Sequence, residues 1–145
     1  MSDLQAIMVD TDAFSLLYLR RNSTDSRVPP WRTLLAGTRV LISFQTRTEL
    51  LSGAVAGSWG QRRMTELRGI LDRTPTIRAD NDVIDAHAAL YAECRRTGHA
   101  LHDKKHTGDR WVAASAIGKG IPLLAGDGIY RDAPGLRLLD EVAGD

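Results

Sequence analysis

The most restrictive feature of the chain is a set of short, largely apolar runs, each followed by a segment with helical spacing. Residues 6–9 (AIMV), 39–44 (RVLISF) and 121–125 (IPLLA) are the clearest runs, with 76–78 and 136–139 as shorter ones. A run that is apolar at successive positions must be covered on both faces, as the strands of a parallel sheet are. Parallel strands in turn need long crossovers, usually helices. The expected class is α/β: one domain over residues 1–145, with a central, mostly parallel β-sheet flanked by helices.

The first run stops at Asp10, and Ala13, Leu16, Leu17 and Arg20 then recur at helical spacing. Asp10 therefore stands at the carboxyl edge of the sheet, with Thr11 or Asp12 able to cap the helix. Residues 21–30 read as a polar, exposed loop leading through Pro30 into a short helix over 31–36. Helices are expected over 45–55, with Leu50, Leu51, Ala54 and Val55 inward, and over 61–73, with Met64, Leu67, Ile70 and Leu71 inward. Over 80–97, acidic residues crowd the start, while Arg95, Arg96 and Gly98 close the end, which suits both capping and the macrodipole. His87 and Cys94 share a face there with Ile84 and Tyr91 and read as packing residues. Residues 98–108 hold His99, His102 and His106. Without a Cys pair or a firm fourth ligand they fit a mobile, basic, phosphate-facing loop better than a zinc site. A small-residue helix over 109–117 then precedes the strand at 121–125, and Asp127 sits at the tip of a GDG turn.

The single cysteine, Cys94, excludes an intrachain disulfide and points to a reducing compartment. The start, MSDLQAIMVD, has no basic and apolar regions of a signal peptide, and no apolar run has the length of a membrane span. A cytoplasmic protein without membrane contact is the expectation. All but three of the 19 basic residues are Arg. Arg suits phosphate recognition, but a GC-rich coding sequence explains the bias equally well.

Four acids follow the sheet pattern. Asp10 and Asp127 come after two buried strands, Asp109 opens the helix leading into the second of them, and Glu49 lies in the helix after 39–44. Each alone can be a strand end, a turn residue, an N-cap or a solvated helix position. Gathered at one edge they repel by roughly 4 kcal/mol per pair at 4 Å and an effective dielectric of 20. A hard cation such as Mg²⁺ or Mn²⁺ relieves that repulsion and supports attack of water on phosphorus. Lys104, Lys105, His106 and Arg110 stand close to Asp109 in sequence and are expected to line the approach of a phosphate-bearing substrate to the acids.

The blocks IMVDTDAF, TELLSG and GDRWVAASAIGKGIPLLAGDGIY resemble, almost end to end, the PIN domains and within them the VapC-type toxins of bacterial toxin–antitoxin pairs. The resemblance implies a PIN-like nuclease in which Asp10, Glu49, Asp109 and Asp127 form an acidic quartet binding Mg²⁺ or Mn²⁺ for RNA cleavage. It also implies a small VapB-like antitoxin whose tail covers the site, and a homodimer, to which Trp31, Trp59 or the first helix could contribute. Two departures stand out. Asp12 replaces the family's frequent Asn or Ser and adds a possible fifth acid. Ala125 replaces a frequent Thr or Ser two residues before the last acid.

Two alternatives come from other classes. DTDAF and KGIPLLAGDGIYRDAPGL resemble the opening and closing motifs of haloacid-dehalogenase-like phosphatases, with Asp10 as nucleophile and Ser43 as the strand-end hydroxyl. Against this, Phe14 occupies that motif's Thr or Val position, the helix follows too soon for a flap, and Glu49 and Asp109 are left without a role. A PIN-shaped binding module without activity is the third reading.

Overall fold

The computed structural model describes residues 5–20 and 22–139. Five parallel strands, β1 (Ala6–Val9), β2 (Arg39–Ser43), β3 (Thr76–Ile77), β4 (Leu123–Leu124) and β5 (Leu138–Leu139), stand in the order β3-β2-β1-β4-β5. The chain builds outward from β1 to β3, then returns across the sheet to β4. Strand order therefore reverses at β1, and the crevice outside the carboxyl ends of β1 and β4 is where an open α/β sheet binds ligands.

Ile7, Met8 and Val9 are wholly buried, which explains their unbroken apolar run. Alternate side chains of a strand point to opposite faces. Ile7 and Val9 join Phe14, Trp31, Leu67 and Leu71 on one side of the sheet. Met8 joins Leu90, Cys94, Val112 and Ala113 on the other. The first side is covered by α1 (Thr11–Phe14) with the π-turn Ser15–Leu19, by α2 (Val28–Leu35), α3 (Phe44–Ala56) and α4 (Gln61–Asp72). The second is covered by α5 (Asn81–Thr97) and α6 (Thr107–Lys119). Ala113, Ala114, Ser115 and Ala116 are buried along α6. A Cβ on Gly118 would stand 2.9 Å from the Asp82 carbonyl oxygen, so glycine is what lets α6 approach the start of α5.

Several sequence expectations shift. Asp10 itself caps α1, accepting from the Ala13 N–H, in place of Thr11 or Asp12. Helix α2 begins at Val28, three residues early, because Pro29 and Pro30 fit its first turn, where amides lack intrahelical partners. The expected loop is correspondingly shorter, and its Arg21 lies outside the described residues. On α5 the inward face carries Val83, Leu90 and Cys94, while Ile84 and Tyr91 are exposed. His87 is half-buried and stacks on Trp111 at 3.9 Å. The segment 98–108 is two 3₁₀ turns, Ala100–His102 and Lys104–His106, capped by His99 and Asp103 and anchored by the wholly buried Leu101. It is a tethered structure, not the free loop expected. No helix among the described residues is long and apolar enough to cross a membrane.

Val55, expected inward, is 65% exposed, whereas Leu71 is wholly buried. Leu71→Ala should therefore cost about 2–5 kcal/mol, and Val55→Ala no more than about 0.5 kcal/mol. Chemical denaturation of the two variants beside the wild type checks the difference.

Candidate functional site

The site is built outward from Asp10, 2% exposed at the end of β1. Its Oδ1 accepts from the Ala13 N–H at 2.8 Å and the Gly126 N–H at 3.0 Å. Its Oδ2 accepts from the Asp127 N–H at 3.2 Å. Burial pushes the Asp10 carboxyl up to about 6; the three amides pull the other way, and the nearby Asp12 charge adds to the rise. Asp12 packs against the loop after β4: a Cβ on Gly126 would lie 2.5 Å from Asp12 Oδ2.

Glu49 reaches the same place from α3. Thr11 donates its hydroxyl to Glu49 Oε1 at 2.7 Å and lies 3.0 Å from the buried Thr46 hydroxyl. Gln45, one helical turn before Glu49, donates its side-chain amide to Oε2 at 2.8 Å. A Cβ on Gly108 would come within 3.0 Å of Glu49 Oε2 and 2.8 Å of Gln45 Nε2, so glycine at the start of α6 admits both side chains.

Asp109 lies in the first turn of α6 and is not its cap. Its Oδ2 stands 2.8 Å from His106 Nδ1, and Tyr130 directs its hydroxyl at Oδ1 from 3.4 Å. Tyr130 is buried, and burial, reinforced by the surrounding carboxylates, raises its phenol above the ordinary value, so it stays a proton donor. Asp127 caps the 3₁₀ turn Gly128–Tyr130, accepting from the Ile129 N–H at 2.9 Å.

Asp10, Asp12, Glu49, Asp109, Asp127 and Tyr130 line one open cleft of about 560 Å³ at the switch point. Among the described residues, no three His, Cys, Asp or Glu side chains are drawn together tightly enough to form an ion-binding cluster. The oxygen-only donor set, facing a common open space, nevertheless fits the preferences of a hard divalent cation.

The basic residues divide. Lys104 and Lys105 are exposed in the 3₁₀ turn that leads into α6, and His106 touches Asp109 directly. Arg110, expected on the RNA track, is buried instead. Its Nη1 donates to the Leu101 carbonyl at 2.5 Å and the Asp103 carbonyl at 3.0 Å, and its Nη2 lies 3.2 Å from Thr107 Oγ1. The guanidinium satisfies the carbonyls of the 3₁₀ segment and is unavailable to a phosphate.

Sequence reasoning missed Thr11, Gln45, Tyr130 and Arg27 as site neighbours. Gln45 had a usable signal, its spacing of four from Glu49. Arg27 had none: its Nη1 donates to the Gly126 carbonyl at 2.9 Å from 99 residues away. The phosphatase alternative loses its local support. Ser43 is buried and bonded to the Ser115 hydroxyl at 2.8 Å, and α1 begins directly after Asp10.

The sequence model of one family, described as the PIN domain, matches residues 7–136. Solved structures similar in fold include VapBC-1 from nontypeable Haemophilus influenzae, with 19% identity, 95% of this chain and 99% of that chain covered and a TM-score of 0.74. VapBC2 from Rickettsia felis, bound to a DNA fragment from its promoter, has 19% identity, 93% and 98% coverage and a TM-score of 0.73. FitAcB from Neisseria gonorrhoeae has 20% identity, 94% and 99% coverage and a TM-score of 0.71. A comparison with curated protein sequences finds no significant match.

The raised Asp10 carboxyl carries a pH signature. Its folded value, about 6, lies above the ordinary 3.8, so the fold favours the protonated form. That stabilisation is present below the ordinary value and is lost as pH rises through about 6; a shift of this size corresponds to about 3 kcal/mol. In EDTA the melting temperature should fall by several degrees between about pH 4 and pH 7. Asp10→Asn should flatten that part of the curve, as thermal melts across the range would record.

Proposed function

The chain belongs to the PIN-domain family, and from that premise we propose that it is a divalent-metal-dependent endoribonuclease serving as the toxin of a toxin–antitoxin pair. The observation that carries the reading is the gathering of five carboxylates from four separate segments in one cleft at the switch point. The resemblance to the family assigns four of them, Asp10, Glu49, Asp109 and Asp127, to its acidic quartet. Capping accounts for Asp10 and Asp127, but not for Asp12, Glu49 and Asp109 facing the same cleft.

Asp10, Asp127, Asp109 and Glu49 would hold Mg²⁺ or Mn²⁺, with Asp12 as a further oxygen donor. A bound ion of this kind acidifies water and neutralises charge on the phosphoryl oxygens and the leaving oxygen. Asp10 contributes rigidity, since three amides hold its carboxylate in one orientation. Glu49 is oriented by Thr11 and Gln45, and Asp109 by His106 and Tyr130. Either carboxylate can take the proton of the attacking water as the new P–O bond forms and the bond to the leaving ribose oxygen breaks. Lys104, Lys105 and His106 offset the repulsion between the RNA backbone and the acids.

The fold is shared with chains solved as VapBC and FitAcB assemblies, which supports a small VapB-like antitoxin as the regulating partner. A guanidinium from its tail suits this cleft, since Arg pairs bidentately with carboxylates. A homodimer also belongs to the proposal, but Trp31 is wholly buried and supplies no contact surface. The Trp59 ring is covered by the Arg63 guanidinium at 3.8 Å.

Incubation with a mixed RNA pool should give internal cuts with Mg²⁺ or Mn²⁺ and none with EDTA, while a phosphate monoester stays intact. Asp10→Asn and Asp127→Asn should each lower cleavage by about a hundredfold or more, the scale of losing one preorganised charge-stabilising group. A folded wild type that cuts no RNA under any of these metal conditions would instead favour the inactive binding module. Replacing Lys104 and Lys105 together by Ala should weaken RNA binding and flatten its salt dependence, as a binding series from low to moderate salt would show.

A further inference from the structure

A second cavity, about 660 Å³ in volume, adjoins the acidic cleft. The two share one wall, Gly126, Asp127, Gly128 and Tyr130. The second cavity is chemically unlike the first. It is lined by aliphatic residues, Leu136 and Leu138 among them, together with the charged Arg27, Arg131 and Asp132. Its size is that of a small-molecule site, and a lining that sets charged groups beside aliphatic side chains suits a ligand with both a phosphate and an apolar part.

The cationic lining is built, at least in part. Arg27 is held by Asp25, with Nη2 at 2.9 Å and Nε at 3.0 Å, and by the Gly126 carbonyl at 2.9 Å. The peptide that Arg27 grips, Gly126 C=O with Asp127 N–H, is one that donates to Asp10, through the Asp127 N–H to Oδ2. A phosphodiester at the acids therefore lies across a single loop from cationic side chains and a patch of aliphatic ones. RNA offers that pairing at every step: a phosphate on one side of each ribose and an apolar base face on the other.

We infer that this cavity is the subsite for the nucleotide next to the scissile phosphodiester, with its base against Leu136 and Leu138 and its phosphate toward Arg131 and Arg27. The inference rests on the ribonuclease reading and adds the place where that substrate is gripped. Base–surface contact of this kind tolerates many sequences, since every base has an apolar face, and it favours unpaired strands, whose bases are free to turn into the cavity. Arg27 is a positioning residue here, already engaged by Asp25 and Gly126. Arg131 is exposed and carries the phosphate contact.

The test measures binding of a fluorescent single-stranded RNA dodecamer of mixed sequence to the full chain, first without added metal and then with cleavage under Mg²⁺ or Mn²⁺. Leu136→Trp fills the cavity, and Arg131→Glu reverses a charge on an exposed side chain and leaves the core untouched. Arg39→Glu is the control, at the amino end of β2 and thus on the opposite edge of the sheet. Leu136→Trp and Arg131→Glu should each raise Kd by about tenfold or more, with Arg39→Glu near wild type. In cleavage the same two should raise KM more than they lower kcat and flatten base preference on one side of the cut. Wild-type binding by both cavity variants, or equal weakening by Arg39→Glu, overturns the subsite. Binding that weakens as expected in a protein that cuts no RNA keeps the subsite and overturns the nuclease. RNA cutting with unaltered KM in both variants does the reverse.

Discussion

One carboxylate joins the first strand to the loop after the fourth. Asp10 ends the first strand, yet two of its three hydrogen bonds come from Gly126 and Asp127, 116 and 117 residues away. A buried carboxylate is tolerated only with partners for its oxygens. The amides that meet this demand come from the helix start after β1 and from the loop after β4. The need to satisfy Asp10 thus clamps these two strand ends together at the switch point, and every other site residue is arranged around that clamp. The same burial disfavours its charged form, so the group that anchors the site is held above the ordinary carboxylate range.

The other acids are braced differently. Glu49 and Asp109 are each held at both oxygens by side-chain partners: Thr11 and Gln45 on one, Tyr130 and His106 on the other. These contacts orient the carboxylates. Full cations stay on the periphery. Arg27 is paired with Asp25, Arg110 is spent on the carbonyls of the 3₁₀ segment, and Lys119 is tied to Asp80 and Asp82 at the start of α5. Negative potential is left open in the cleft, which is the condition under which a hard cation is the natural guest.

Glycines take part where space, not a turn, is limiting. Gly108 leaves room for Glu49 and Gln45, and Gly126 leaves room for Asp12. In both cases a methyl group would meet a site side chain at 3.0 Å or less. The site is shaped as much by missing Cβ atoms as by the acids themselves.

The amino-acid sequence alone determined the class of fold and the candidate acids. Strands buried on both faces must be apolar at successive positions, and the unbroken run Ala6–Val9 records that directly. Helices α3, α4, α5 and α6 were legible from apolar periodicity and end signals, and the four acids stood out by their positions after strands or early in helices. What stayed hidden depends on contacts between distant segments. Val55 and Ile84 carry apolar side chains, but each helix is rotated by its neighbours so that Ala54 and Val83 take the buried positions. Arg110 looked like a phosphate ligand because it follows Asp109, yet consecutive helix residues point about 100° apart, and its own turn faces the buried carbonyls of Leu101 and Asp103. Tyr130 and Arg27 gave no local sign of joining the acids. Local patterning reports which residues must be buried and which elements they form; which side chains meet across the sheet is settled only when the whole chain satisfies its buried polar groups at once.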